Sequence, residues 1–114
     1  MARTHTLGRR GETLAAWLVR LRGGRVLARN TRVRGGCEVD IVARYGRTLA
    51  VVEVKARRGG GAAEAVGLDR IAGLERSAQW LADSRGYEWV RRVRLDLVTI
   101  DGRRVHYFPD AFHS

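Results

Sequence analysis

The period of hydrophobic and polar positions changes several times along the chain, and these changes delimit its secondary structure. Apolar residues at helical spacing predict a first helix that begins after a Thr6 cap and ends near Arg22, before the helix-breaking pair Gly23-Gly24. The stripe expected to face the core consists of four leucines: Leu7, Leu14, Leu18 and Leu21.

The next part of the chain predicts three strands separated by glycine-containing turns. Arg25–Val33 forms the first and ends before Gly35-Gly36. Glu38–Arg44 alternates acidic and apolar residues, and Arg47–Arg57 is the most apolar of the three. Between these two strands, Tyr45-Gly46 predicts a hairpin turn.

The second half predicts one helix and a final hairpin. A loop from Arg58 to about Gly67 leads into an amphipathic helix over Leu68–Ser84. Strands Val93–Ile100 and Arg104–Phe108 are joined by the two-residue turn Asp101-Gly102. The order is αβββαββ, and the helix between the third and fourth strands predicts a right-handed crossover to a parallel neighbour. We therefore expect a mixed α/β fold.

Length and composition narrow the class of protein. The chain has 114 residues, of which 45% are hydrophobic, so we expect one domain over 1–114 with a packed core. No apolar run is long enough for a membrane span, and the first residues do not resemble a secretory signal. Cys37 is the only cysteine, which excludes an internal disulfide. These features predict a soluble, intracellular protein.

Charge points to a polyanionic partner. The net charge is +10 and the sequence pI is about 11.4, values typical of nucleic-acid-binding proteins. The first 34 residues contain nine arginines and a single acid, Glu12. Arginine accounts for 21 of the 22 basic residues, which a GC-rich genome would also produce, and Lys55 is the only lysine.

The second and third strands bring acidic residues together if they pair as a hairpin. A turn at Tyr45-Gly46 places Arg44 opposite Arg47, and residues two apart on a strand share a face. A slip of one residue would separate the acids, so the grouping depends on register. In this register one face carries three carboxylates and an ammonium: Glu38, Asp40, Glu53 and Lys55.

Such a cluster indicates a metal site. Neighbouring carboxylates repel each other unless a cation lies between them, and Mg²⁺ or Mn²⁺ prefers oxygen ligands. Asp40 and Glu53 are the natural ligands, with the carbonyl of Val54 as a third and Glu38 as an additional acid. Lys55 could orient an attacking water or stabilise charge on a phosphoryl group. The alternative is an ordinary Glu–Lys pair on a solvated sheet face.

Six short motifs extend this interpretation over nearly the whole chain. They are Gly8-x-x-Gly11-Glu12, Ala28-Arg29-Asn30-x-Arg32, Cys37-Glu38-Val39-Asp40-Ile41-Val42-Ala43, Val51-Val52-Glu53-Val54-Lys55-Ala56-Arg57, Arg94-Leu95-Asp96-Leu97-Val98 and Asp110-Ala111-Phe112. In this order they resemble the motifs of the YraN-like family of small bacterial proteins. That family belongs to the PD-(D/E)xK nuclease superfamily and is similar to archaeal Holliday-junction resolvases.

The resemblance implies a restriction-endonuclease-like αβββαβ core, a mixed sheet flanked by two helices. It makes Asp40, Glu53 and Lys55 a metal-dependent catalytic triad and adds Glu12 as a further ligand. From the residues alone Glu12 is expected to be solvated, because it lies more than about 100° around the helix from the leucine stripe. Arg70 stands where the family has a helix lysine, and it would contact phosphate.

We therefore expect a metal-dependent endonuclease-like protein that hydrolyses phosphodiester bonds with Mg²⁺ or Mn²⁺. Its partner would be DNA, recognised by its structure and not by its sequence, and branched or structured DNA is a possible substrate. We expect a homodimer, located in the nucleoid of the cytoplasm. One alternative is a non-catalytic nucleic-acid-binding module; another is a scaffold for an acidic partner. The arginines expected to contact phosphate are Arg9, Arg10, Arg29, Arg32, Arg57, Arg58 and Arg70.

Overall fold

Five strands form one sheet, and two helices pack against it. The computed structural model describes residues 5–57, 61 and 65–112, with side chains described from residue 10 onward. Within these ranges no helix is both long and apolar enough to span a bilayer. The elements are α1 (His5–Leu21), β1 (Arg25–Arg32), β2 (Glu38–Tyr45), β3 (Thr48–Ala56), α2 (Leu68–Ala82), β4 (Arg92–Asp101) and β5 (Arg104–Phe108).

The strand order follows the chain, β1-β2-β3-β4-β5. All neighbouring strands are antiparallel except β3 and β4, which are parallel and connected through α2. The predicted order of elements and the parallel pair are therefore confirmed. This mixed sheet with two helices is compatible with a restriction-endonuclease-like core.

The predicted register of the β2–β3 hairpin is wrong by two residues. Tyr45 lies opposite Thr48, and Arg44 lies opposite Leu49 instead of Arg47. The connecting residues are thus Gly46 and Arg47, with Gly46 at a φ of 61°, a left-handed conformation that suits glycine at the first position of a two-residue hairpin loop. A shift of two residues keeps every side chain on its predicted face.

The sheet separates two cores. The core on the α1 side contains Ala15, Ala16, Val19, Ile41, Ala43, Ala50, Val52, Val54 and Val98. The core on the α2 side contains Val33, Val39, Val42, Leu49, Val51, Leu74, Ala78, Leu81 and Leu95. Val51 and Val52, which are consecutive in β3, lie in different cores, as the alternation of a strand requires. Both faces of the central strands are therefore buried.

The predicted core stripe of α1 is partly wrong: Leu18 packs against the core on the α1 side, and the side chain of Leu7 lies outside the described residues. Leu14 and Leu21 are exposed, while Ala15, Ala16 and Val19 are buried. Small side chains bring the helix close to the sheet: a Cβ added at Gly11 would lie 3.1 Å from Ile100 Cδ1 and 3.4 Å from Val54 Cγ1. Close approach thus turns the small residues of α1 inward and leaves Leu14 and Leu21 at the surface.

Candidate functional site

Strands β2 and β3 stop pairing at the predicted site. Their ladder runs from Tyr45 opposite Thr48 to Ile41 opposite Val52. Beyond that point the Val54 N–H donates to a side-chain oxygen, Asp40 Oδ2, at 2.8 Å. The Asp40 carboxylate therefore accepts a hydrogen bond that the neighbouring strand would otherwise accept, and this bond fixes its orientation.

The same geometry directs a backbone oxygen toward the gap. In an antiparallel ladder, the N–H and C=O of one residue pair with the same neighbouring strand. Because the Val54 N–H donates to Asp40 on β2, the Val54 carbonyl also faces β2, where the strand ladder has ended. The residues at this position offer two side-chain carboxylates and one carbonyl as oxygen donors, from Asp40, Glu53 and Val54.

Asp40 and Glu53 form a buried acidic pair, the term used below for these two residues. Asp40 is 0% exposed and Glu53 is 2% exposed. Burial raises the pKa of Glu53 above its ordinary value; hydrogen bonding from Arg70 opposes this rise, and the charge of Asp40 adds to it. The acidic pair is thus a place where a second positive charge would lower the electrostatic free energy.

Arg70 reaches this pair from α2. Its Nε donates to Glu53 Oε2 at 2.9 Å, and its Nη2 donates to Glu53 Oε1 at 2.8 Å. Nη2 also donates to the carbonyl of Glu38 at 2.7 Å. The bonds to Glu53 raise the pKa of Arg70. The residue expected to contact phosphate therefore holds both oxygens of a predicted metal ligand.

Lys55 lies beside the acidic pair. It follows Glu53 by two residues on the α2 face of β3, is half-buried, and lies next to Thr99 of β4. Its ammonium makes no hydrogen bond or ion pair with any described residue. Glu38 is exposed at the start of β2, opposite Arg32. Lys55 is thus a cation at the edge of the site, while the side chain of Glu38 faces solvent.

Glu12 is buried, and the expectation that it is solvated is wrong. It is 4% exposed, accepts a hydrogen bond from Asn30 Nδ2 at 2.6 Å, and lies 3.9 Å from Arg29 Nη2. Asn30 holds this position with a left-handed φ of 50°. Across the described residues, no group of three or more His, Cys, Asp or Glu side chains is placed to hold a metal ion.

The predicted phosphate contacts lie in different environments. Arg10, Arg32 and Arg57 are exposed, and so is Arg29, which donates to Thr13 Oγ1 at 3.0 Å. The Arg9 side chain and residue 58, the remaining predicted contacts, lie outside what the structure describes. Exposed guanidinium groups are available to a polyanion, whereas Arg70 is occupied by Glu53.

A further buried acid, Asp96, forms a cluster that was not predicted. Asp96 is 0% exposed and accepts two hydrogen bonds from Arg94, at 2.8 and 2.9 Å. Tyr107 Oη donates to it at 2.6 Å, and the Asp110 amide donates at 2.9 Å. The sequence signal was the Arg94–Val98 motif, which marks the arginine and the acid but not the tyrosine. We call these residues, together with Tyr45, which hydrogen-bonds to Tyr107, the Asp96 cluster.

Sequence comparison places the chain in a family. The model of "Uncharacterised protein family UPF0102" matches residues 11–100. A UPF0102 protein of Syntrophotalea carbinolica is 41% identical, covering 94% of this chain and 91% of its own. Those of Parvibaculum lavamentivorans and Mycolicibacterium vanbaalenii are 46% and 45% identical, covering 88% and 94% of this chain and 75% and 88% of their own. The protein belongs to the UPF0102 family, the YraN-like group, as its motifs predicted.

Proposed function

We propose that this UPF0102 protein is a metal-dependent nuclease that hydrolyses phosphodiester bonds in DNA. The observation that carries the proposal is the acidic pair: two buried carboxylates from adjacent strands meet where the strands part, with Lys55 on the same face. Burying two like charges side by side destabilises a fold unless a cation compensates them. Sites of this kind are often functional.

The residues present fit a hard divalent cation. Mg²⁺ and Mn²⁺ take carboxylate and carbonyl oxygens, commonly one or two carboxylates together with water and substrate phosphate. Asp40, Glu53 and the carbonyl of Val54 supply such donors, and the family motifs add Glu12 and Glu38 as candidate further acids. When bound there, the cation would supply Lewis-acid polarisation of the phosphoryl group.

The protein's own groups would position the reaction. The Val54 amide holds Asp40 in one orientation through a 2.8 Å hydrogen bond, so this carboxylate is preorganised. In hydrolysis a water molecule loses a proton as its oxygen bonds to phosphorus, the ester P–O bond breaks, and the departing oxygen takes up a proton, so the number of protons is unchanged. Lys55 would orient that water or stabilise the charge that develops on the phosphoryl oxygens.

DNA binding would rest on phosphate contacts. The chain carries a net charge of +10, and Arg10, Arg29, Arg32 and Arg57 are exposed. Such contacts give affinity without reading sequence, so we propose structure-selective binding, with branched DNA among the candidates, in the nucleoid. Cutting both strands of a branch needs two sites, for which a homodimer is the simplest arrangement.

One observation favours the second candidate, a nucleic-acid-binding module without catalysis. Arg70 already engages both carboxylate oxygens of Glu53, which is the pairing expected if that acid has a structural role. In a non-catalytic module Arg70 would keep its hydrogen bonds to Glu53 when metal is added, and the acidic pair would bind no cation. Metal-dependent cleavage separates the two candidates, whereas salt dependence does not.

The test is a cleavage assay on labelled four-way-junction, flap, single-stranded and linear duplex DNA with Mn²⁺, Mg²⁺ or EDTA. The variants are Glu53→Gln and Lys55→Ala, with Glu75→Gln, an exposed acid of α2, as the matched control. We expect cleavage only with metal, reduced by at least about a hundredfold in both site variants and unchanged in the control. Binding without cleavage on every substrate would contradict the nuclease and leave the module.

A further inference from the structure

Arg70 and a divalent cation would compete for the same atoms. Arg70 donates to Oε2 and Oε1 of Glu53 at 2.9 and 2.8 Å, which covers both oxygens of that carboxylate. A cation bound to either oxygen would lie within a few ångströms of the guanidinium, where like charges repel strongly in a buried site. The Arg70 guanidinium and a divalent cation therefore cannot both bind the Glu53 carboxylate tightly.

The Arg70 side chain is partly exposed and has another hydrogen-bond acceptor besides Glu53. Its side chain is 29% exposed, whereas that of Glu53 is 3% exposed, so the guanidinium lies between the buried acid and solvent. Nη2 also donates to the carbonyl of Glu38 on the exposed start of β2, 2.7 Å away. A planar guanidinium binds carboxylate and phosphate with the same two-pronged geometry.

We infer that Arg70 is a positioning residue that occupies Glu53 in the absence of metal and exchanges it for a substrate phosphate when a divalent cation binds the acidic pair. This inference rests on the proposed function. It also explains how two buried carboxylates are tolerated without metal, since Arg70 compensates part of their charge. The arginine thus sets the affinity of the site for metal and couples metal binding to DNA binding.

The first test measures metal binding, not cleavage. Titration calorimetry with Mn²⁺ on the intact protein compares wild type, Arg70→Ala and Arg70→Gln. The matched control is Arg76→Ala, which removes an exposed arginine of the same helix and the same unit of charge. We expect Arg70→Ala and Arg70→Gln to bind Mn²⁺ at least about tenfold more tightly than wild type, and Arg76→Ala to be unchanged. Equal or weaker binding by both Arg70 variants overturns the inference.

The second test uses the wild-type protein, so it does not depend on a variant that folds. The Arg70 Nε–H is hydrogen-bonded to Glu53. As Mg²⁺ is added, its ¹⁵Nε chemical shift should change, and the Nε proton should exchange faster with solvent. An Arg70 signal unchanged at saturating Mg²⁺ overturns the exchange.

The two proposals fail differently: if wild type binds metal and cleaves DNA while Arg70 stays in place, the nuclease stands and only the exchange is lost. If neither wild type nor the Arg70 variants bind metal, the site itself fails.

Discussion

Two buried acidic sites in this molecule differ in how completely they are compensated. Asp96 is a single carboxylate that receives two hydrogen bonds from Arg94 and one each from Tyr107 and the Asp110 amide. The acidic pair has two carboxylates: Arg70 donates to Glu53, and the Val54 amide donates to Asp40. A single buried acid bonded to a guanidinium, a hydroxyl and an amide stabilises one conformation, whereas two adjacent buried carboxylates repel each other in a way that a bound cation would relieve. We therefore propose that the Asp96 cluster is structural and that the acidic pair carries the chemistry of the proposed function.

The strongest test of this contrast is Asp40→Asn. An asparagine oxygen can still accept the Val54 N–H, so the variant should fold, but it loses the anionic ligand. We expect cleavage of the preferred DNA substrate to fall by at least about a thousandfold, with DNA binding in EDTA unchanged. Cleavage near the wild-type rate would mean that Asp40 is a structural acid like Asp96.

The corresponding substitution at the other site should change stability and not activity. Asp96→Asn leaves the Arg94 guanidinium without its carboxylate partner, and we expect a loss of about 3 kcal/mol in the free energy of unfolding. Urea denaturation measures this loss, and Mn²⁺ affinity measured below the unfolding transition should match wild type. An altered Mn²⁺ affinity would show that the two sites are coupled.

The dependence of stability on pH tests the burial of Glu53 in the acidic pair. The pKa of Glu53 is raised from its ordinary value of 4.5, chiefly by burial. The Glu53 carboxyl group therefore stays protonated to higher pH in the folded protein than in the unfolded chain. Stability relative to Glu53→Gln should therefore fall as pH rises from about 4.5 through the folded-state pKa, then level off. The fall is about 1.4 kcal/mol for each unit by which the pKa is raised. Urea denaturation across this range measures it, and a difference between the two proteins that is constant with pH would contradict the assignment.

The smallest effect is expected at the edge of the Asp96 cluster. Tyr107→Phe removes the hydroxyl that donates to Asp96 and hydrogen-bonds to Tyr45. Asp96 keeps its bonds to Arg94 and the Asp110 amide, so the free energy of unfolding should fall by about 1 to 2 kcal/mol, less than in Asp96→Asn. A loss as large as that of Asp96→Asn would make the tyrosine the main partner of the acid. Thermal unfolding of the two variants side by side decides this.

The sequence was sufficient to predict the elements and the face of β3 on which Glu53 and Lys55 lie. Every strand and helix lies within a few residues of its prediction, since turn residues such as Asp101-Gly102 and the alternation of β2 are local signals. The β2–β3 register was missed because the chain turns at Gly46-Arg47, one residue later than predicted. That error moved the pairing by two residues and so kept Glu53 and Lys55 on the predicted face.

Features that depend on distance between elements could not be predicted in this way. Leucine periodicity placed Leu14 and Leu21 in the core although they are exposed, because Gly11 and the alanines at 15 and 16 let the helix lie close to the sheet. The burial of Glu12 follows from the same packing, and its partner Asn30 is eighteen residues away on β1. The pairing of Arg70 with Glu53 depends on where α2 crosses the sheet, which local periodicity does not specify.

The single lysine has a consequence for measurement. A protease that cleaves only after lysine can cut this protein at one peptide bond, Lys55–Ala56. That bond lies in β3, which is paired with β4 as far as Ala56. A protease must bind an extended, accessible segment, so the bond can be cut only in molecules where β3 has separated from β4. The rate of this one cut therefore reports how often the carboxyl end of β3 separates from β4, in native buffer and without denaturant.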